Sequence, residues 1–303
     1  MPDAKTTLLI LLGIVGVAFS AFWLRALVAG AKSRGERVAP GPYELVVGFL
    51  TDFFDTLGIG SFATTTTLYR ARKTIDDRLL PGTLNVGHTL PTIVQAFIYT
   101  QVIEVEMRTL ALMIGAAVAG SLVGAPIVAR WPRRNIQIGL GLALLVLCAV
   151  LVYRQLWTEP TTGAIGLTGA MLAAGVGGNF VLGALMTIGV GLYAPCLVMV
   201  SMLGMNPGTG FPIMMGSCAF LMPAASVPFI QRHSYSPRAA LGLTLAGIPA
   251  VLIAAYIVKS LPLDTVKWLV AVIVVYTAVM LLRAASRERL APASNPSVPA
   301  QRT

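Results

Sequence analysis

Charge is scarce in this chain. Asp, Glu, Lys and Arg make up 11% of its 303 residues, against about 25% in a soluble domain. With 56% hydrophobic residues beside it, that shortage excludes an ordinary water-soluble protein. Cysteine is scarcer still: Cys148, Cys196 and Cys218 all lie inside apolar stretches and none belongs to a Cys-x-x-Cys pair, so neither a disulfide framework nor a zinc site is implied. No Ser/His pair, His-Glu-x-x-His motif or metal-ligand cluster is visible. No metal or cofactor is therefore expected.

What charge there is leans one way, with 22 Lys+Arg against 12 Asp+Glu for a formal +10. A soluble chain with that balance would suggest nucleic acid. In a polytopic membrane protein the basic residues collect in cytoplasmic loops, so the same balance arises from orientation alone. No nucleic-acid partner is expected.

Long apolar runs are present. Stretches of the length needed to cross a bilayer, about 20 residues, occur at 6–29, 82–101, 107–129, 136–157, 209–230, 239–259 and 265–282. The first could be read as a signal peptide, because Ala29-Gly30-Ala31 resembles a cleavage site. Its apolar part exceeds the usual core of about 7–15 residues, which favours a retained helix. Two further stretches, 43–69 and 163–204, are apolar but interrupted by glycine and polar residues. After residue 284 come Arg287, Arg289, Pro292, Pro296 and Pro299 with few apolar side chains, the composition of a disordered tail.

The chain echoes itself. Ile127 to Pro132 corresponds to Ile257 to Pro262 at an offset of 130, Gly58-Ile59-Gly60 to Gly189-Val190-Gly191 at 131, and Gly87 to Gly216 at 129. Weak internal symmetry of this kind marks transporters. Equivalent loops carry opposite Lys/Arg content: Arg70, Arg72, Lys73 and Arg78 face an uncharged 204–208, and Arg130, Arg133 and Arg134 face Lys259 and Lys267 offset by Asp264. By the positive-inside rule the halves are inverted. If 43–69 and 163–204 each enter and return to one side, fifteen Lys/Arg lie inside and five outside. The expected fold is thus an all-α polytopic membrane protein of two inverted repeats, each a broken re-entrant hairpin plus three transmembrane helices. Its parts are an extra N-terminal helix with a basic loop (1–42), repeat 1 (43–157), repeat 2 (158–284) and a disordered tail (285–303).

Broken helices are tolerated at membrane depth only where they line a cavity or are buried in protein. In 48–67, Gly58 and Gly60 supply the break, and Ser61, Thr64 and Thr65 begin the second half of the segment. A half-helix starting near Ser61 would offer free N–H groups and a positive dipole end to an anion. The other repeat has the same pattern at Gly189 and Gly191, with Tyr193, Pro195 and Cys196 after them. The alternative, that these glycines only permit close helix packing, is weakened by their symmetric placement. Asp52 and Asp55 lie three residues apart on one helix face, where a buried carboxylate is expensive and usually functional. With His88 they are the candidates for proton coupling. Asn85, Thr89 and Gln95 add neutral polar groups near His88, and Ser217 and Cys218 stand at the symmetric position. The two acids also permit a cation site or, less favoured, a membrane-embedded enzyme. An intramembrane aspartyl protease would place Asp after Gly-x-Gly, whereas Ser61 stands there. No enzyme activity is expected.

Two units, each opening with a broken apolar segment of the form Gly-Phe-Leu…Leu-Gly-Ile-Gly (48–60 in the first) and continuing to a helix with a small polar cluster, resemble the TauE/SafE sulfite exporter family over residues 43–283. The N-terminal helix and the loop of Lys32, Arg34 and Arg37 look like an addition. The resemblance implies an integral membrane permease exporting sulfite, organosulfonates or related small anions. Thiosulfate remains open beside them through Cys196 and Cys218, as do carboxylates. Expected partners are a small anionic substrate and the lipid bilayer, with a homodimer left open. The expected location is the bacterial inner membrane with the C-terminus cytoplasmic.

Overall fold

The structure, a computed structural model, describes residues 3–34, 38–124, 132–157, 163–187, 191–259 and 263–290. Eleven α-helices carry the fold among these residues: α1 (Ala4–Arg34), α2 (Pro42–Thr56), α3 (Ser61–Arg72), α4 (Leu80–Val102), α5 (Met107–Ala119), α6 (Arg133–Trp157), α7 (Gly169–Met186), α8 (Tyr193–Met202), α9 (Gly210–Gln231), α10 (Pro237–Lys259) and α11 (Leu263–Leu290). A π-helical turn, Gly120–Gly124, prolongs α5. No strand occurs among the described residues beyond an isolated bridge between Ala164 and Met205.

Among the described residues six segments are long and apolar enough to cross a membrane: Ala4–Lys32, Met107–Gly124, Gly169–Met186, Pro207–Gln231, Pro237–Ile257 and Trp268–Ser286. The chain is a multi-pass membrane protein. Three details differ from the sequence expectation. The 82–101 span is a complete helix, but Thr83, His88, Thr89, Thr92 and Gln95 are buried in it, so it is less apolar than a lipid-facing span. In α6 the apolar segment found among the described residues, Arg134–Val150, is shorter than a full span. The helix α11 runs to Leu290, six residues into the stretch expected to be a tail. Ala284, Ala285, Arg287, Glu288 and Arg289 are good helix formers, and the first helix breaker is Pro292. Residues 291–303 lie outside the described residues.

The two interrupted segments each double back. Pro42 occupies the first turn of α2, a position where its missing N–H is no loss. The Glu44 carboxylate there accepts the Gly41 N–H at 2.9 Å. The helix stops where Gly58 takes φ +97°. The Ile59 N–H then donates to the Phe54 carbonyl and the Gly58 N–H to that of Asp55, the bond pair of a glycine-terminated helix. After this turn α3 returns: the hydroxyl of Tyr43 donates to the Leu68 carbonyl at 2.6 Å, and the Arg72 guanidinium lies 4.5 Å over the Tyr43 ring. In the second segment the Ala164 N–H donates to the Gly204 carbonyl at 3.1 Å, and the Asn206 N–H returns to the Ala164 carbonyl at 2.9 Å.

These closures define two ends of the bundle. At one end Arg238 pairs with Glu44 at 3.3 Å, and the Ser236 N–H donates to Thr83 Oγ1 at 2.9 Å. This end gathers Arg70, Arg72, Lys73, Arg78, Arg232 and Arg238. At the other, Lys5 donates to the Gln101 carbonyl at 3.2 Å and the Glu106 N–H to that of Ile165 at 2.8 Å. The first broken segment starts and finishes at the basic end, and the second at the opposite one. In the interior α4 packs along α9, α6 along α11, α2 along α10, and α5 along α7. Leu110, Met113, Phe211, Ile213, Met214 and Val274 join one large core.

Candidate functional site

The two turns meet in the middle of the molecule. Between them lies a cavity of ≈ 60 Å³. The first turn contributes Asp55, Ile59, Gly60, Ser61 and Phe62, and the second Met186, Gly191, Leu192, Tyr193 and Ala194. Thr92 of α4, Cys218 and Met222 of α9 and Thr277 of α11 complete the wall. No Lys, Arg or His is among the described residues that line it.

Asp55 is the single charged side chain among the described residues that line it, and the fold surrounds that carboxylate with donors. Gln95 Nε2 donates to Asp55 Oδ2 and to Thr56 Oγ1, both at 2.9 Å. The Tyr193 hydroxyl, from the other broken segment, lies 3.3 Å from the same oxygen and 3.4 Å from Gln95 Oε1, one proton shared between two acceptors. The hydroxyl and backbone N–H of Ser61, the first residue of α3, face Asp55 as well. The positive end of α3 is therefore already occupied by the chain's own carboxylate. This modifies the expectation that it stands free for an external anion. The Tyr99 hydroxyl donates to the Thr56 carbonyl at 2.8 Å, tying the end of α2 to α4.

Asp52, one turn earlier on α2, faces a different set of groups. His88 Nδ1 lies 2.8 Å from Asp52 Oδ1, and His88 Nε2 lies 3.0 Å from Thr65 Oγ1. All three residues are buried. With Asp52 ionised, Nδ1 carries the hydrogen that the carboxylate accepts, and a neutral ring then accepts the Thr65 hydroxyl at Nε2. This Asp–His–Thr chain links α2, α4 and α3 through side chains outside the cavity wall. It has the form of a hydrolytic triad, but the buried Thr65 has no access to a substrate.

The expected site residues thus separate. Gly60, Ser61, Gly191, Tyr193 and Asp55 line the cavity. Gly58 sits behind the wall, where a Cβ would meet Ile273, Phe211 and Leu197. The Thr64 hydroxyl returns to the Ser61 carbonyl of its own helix at 2.8 Å. Asn85 donates to the Pro81 carbonyl at 2.9 Å and does not reach the cavity, because it lies two turns of α4 away from Thr92, toward the basic end. Ser217 accepts from Asn179 at 3.0 Å and joins α9 to α7. Cys196 is buried in the core, and Cys218 takes the place at the wall. Gly189 lies outside the described residues. Thr92, Met186, Met222 and Thr277 line the wall without having been singled out by sequence reasoning. His88, Thr92, Gln95 and Tyr99 recur at helical spacing on α4, so one polar stripe in an apolar helix was the available signal for Thr92.

In comparisons with known protein families, with characterised proteins and with solved structures, nothing matches the chain.

Proposed function

We propose that the chain is a membrane transporter for a small solute, working by alternating access around the two meeting turns, with a proton carried at Asp55. The observation that carries this reading is the convergence of two broken segments, entering from opposite ends, on one cavity that contains a buried carboxylate. Irregular backbone at membrane depth is placed where it lines a binding site. The inverted repeat belongs to the same proposal. The order of elements from α2 to α6 matches that from α7 to α11, and α2 rests on α10 as α7 rests on α5. The pairs α4 with α9 and α6 with α11 would stand astride the symmetry axis.

Orientation rests on charge. The end with Arg70, Arg72, Lys73, Arg78, Arg232 and Arg238 is cytoplasmic by the positive-inside rule. The C-terminus shares that side if the repeats are inverted, and a bacterial inner membrane is the proposed residence.

For the substrate, the sequence resemblance to the TauE/SafE sulfite exporters supports a small sulfur-containing oxyanion such as sulfite or an organosulfonate. The cavity adds a condition. Like charges repel, and no cationic side chain is available at the wall, so an anion enters beside Asp55 only when that carboxyl carries a proton. Anion and proton then share the site, and the hydroxyls of Ser61, Thr92, Tyr193 and Thr277 supply donors. One observation favours a second reading: a carboxylate facing a cavity without a cation also suits a cationic solute.

Purified protein in proteoliposomes separates the two. Sulfite flux at clamped membrane potential should rise with a proton gradient, and Asp55→Asn should lose that response. Sulfite-independent movement of mono- or divalent cations, abolished by Asp55→Asn, would replace the anion reading by the cationic one.

A further inference from the structure

Besides Arg238 Nε, which is ion-paired with Glu44, two buried polar atoms on the basic-end side of Asp55 have no hydrogen-bond partner among the described residues. One is Asp52 Oδ2 and the other is the hydroxyl of Tyr69 on α3. Both residues are 0% exposed. A buried polar group left unpaired costs about 1–3 kcal/mol, and a polar, enclosed place with several such groups is where internal water binds. The two atoms are related in space, because Tyr69 follows Thr65 by one turn of α3 and Thr65 is joined through His88 to Asp52. Glu44, Asp52 and Asp55 recur on α2 at spacings of eight and three residues, which puts them on one side of the helix. Glu44 stands at the basic end against Arg238, with its side chain 12% exposed. Asp55 stands at the cavity.

We propose that water threads the interface of α2, α3, α4 and α10 and forms a proton path, from Glu44 at the basic end, past the Tyr69 hydroxyl, to Asp52 and His88, and on to Asp55. This rests on the proton-coupled reading above and adds the end from which protons come and the groups that pass them. The step is a transfer of H⁺ alone. A protonated water of the chain gives its proton to Asp52 Oδ2 and is left as neutral water, and the Asp52 O–H then breaks as an O–H forms at Asp55 one turn further along. Residues three apart on a helix are neighbours, with Cβ atoms about 5–6 Å apart, so the proton passes between the two carboxyls through one water. His88 holds Asp52 Oδ1 and leaves Oδ2 as the exchanging atom.

The surroundings agree. From α3 the facing groups are Thr65 and Tyr69, and from α4 His88. At the mouth stand Arg238 of α10 and, beside Tyr69, the Tyr43 ring under Arg72. At depth α10 presents Gly247, where a Cβ would collide with Asp52 Oδ2. The missing side chain is what lets Asp52 Oδ2 lie against the backbone of α10.

The His88 ring reports on the path without any transported solute. In a His233→Gln background His88 is the remaining histidine, so ¹⁵N-histidine NMR of the full chain in lipid resolves its ring N–H exchange with water. Tyr69→Phe, which removes one oxygen, and Glu44→Gln, which keeps the shape of the mouth, should each slow that exchange several-fold. Exchange at the wild-type rate in both variants overturns the path. Sulfite counterflow by wild-type protein, which moves no net proton, tests the transport reading separately. Absent counterflow with slowed His88 exchange would sink the substrate reading and keep the path, whereas normal counterflow with unchanged exchange would do the reverse.

Discussion

Gly60 and Gly191 face the same cavity but differ in what a side chain would cost. At both, an added Cβ meets nothing within 4 Å. Gly60, however, has φ +87° and ψ +130°, outside the left-handed helical region and in backbone space open essentially to glycine, which costs an L-residue about 1–3 kcal/mol. Gly191→Ala should therefore leave thermal stability within about 0.5 kcal/mol of wild type, while Gly60→Ala lowers it by the strain. Leucine at either position should block flux by filling a ≈ 60 Å³ space. Flux that survives both leucines would mean the cavity is not on the transport path. Gly247 is the converse case, since its Cβ would overlap Asp52 Oδ2 and fall 2.9 Å from Pro91. Gly247→Ala should destabilise by about 1–3 kcal/mol through overpacking. Adding Asp52→Ser should recover much of that loss, a coupling that a double-mutant cycle of unfolding measurements reads directly. Purely additive losses would place the strain elsewhere. The acids themselves were legible in the sequence as a pair on one helix face, but their different roles were not. What separates them comes from other elements: His88 and Gly247 beside Asp52, Gln95 and Tyr193 beside Asp55.

Helix α4 explains how a polar stripe is held inside an apolar bundle. Pro91 lies within it and has no N–H to give the carbonyl four residues back, which is that of Gly87. The Thr244 hydroxyl of α10 donates to this carbonyl at 2.7 Å, so the break in α4 is repaired by its neighbour rather than by water. Thr244→Val keeps the shape and removes the donor. It should cost about 1–3 kcal/mol, the penalty for an orphaned buried acceptor, and Thr244→Ser should restore most of it. Equal stability of the valine and wild-type proteins in thermal unfolding would show that the carbonyl finds another partner. The end of α2 was legible because Gly58 and Gly60 interrupt an apolar run, and breaker residues act within a few positions of themselves. The stretch 163–204 reads from the sequence as interrupted by glycine and polar residues. Instead Gly175 and Gly178 admit Leu167 and Met199 against an unbroken α7. Local composition does not distinguish a glycine that ends a helix from one that lets a neighbour come close.

At the scale of the whole molecule the decisive quantity is which loops share a side. Hydrogen bonds and ion pairs sort them independently of any charge rule: Tyr43 with Leu68, Glu44 with Arg238 and Thr83 with Ser236 at one end, and Lys5 with Gln101 and Glu106 with Ile165 at the other. The positive-inside rule assigns the first end to the cytoplasm. Surface cysteine labelling tests the two statements apart. Cys148, Cys196 and Cys218 are buried, so background reaction with a membrane-impermeant maleimide should be low. Lys73, Arg232, Glu104 and Ser286 are exposed positions for an introduced cysteine. In intact cells Glu104→Cys should label from outside, whereas Lys73→Cys, Arg232→Cys and Ser286→Cys should label only after permeabilisation. The opposite pattern, with Lys73 and Arg232 outside, would keep the fold and reverse the orientation, and the proton path would then open to the exterior. Labelling of Lys73→Cys and Glu104→Cys from one side would be more serious. The helix α4 that carries His88, Thr92 and Gln95 would then not cross the membrane, and neither the inverted repeat nor alternating access around its cavity could stand.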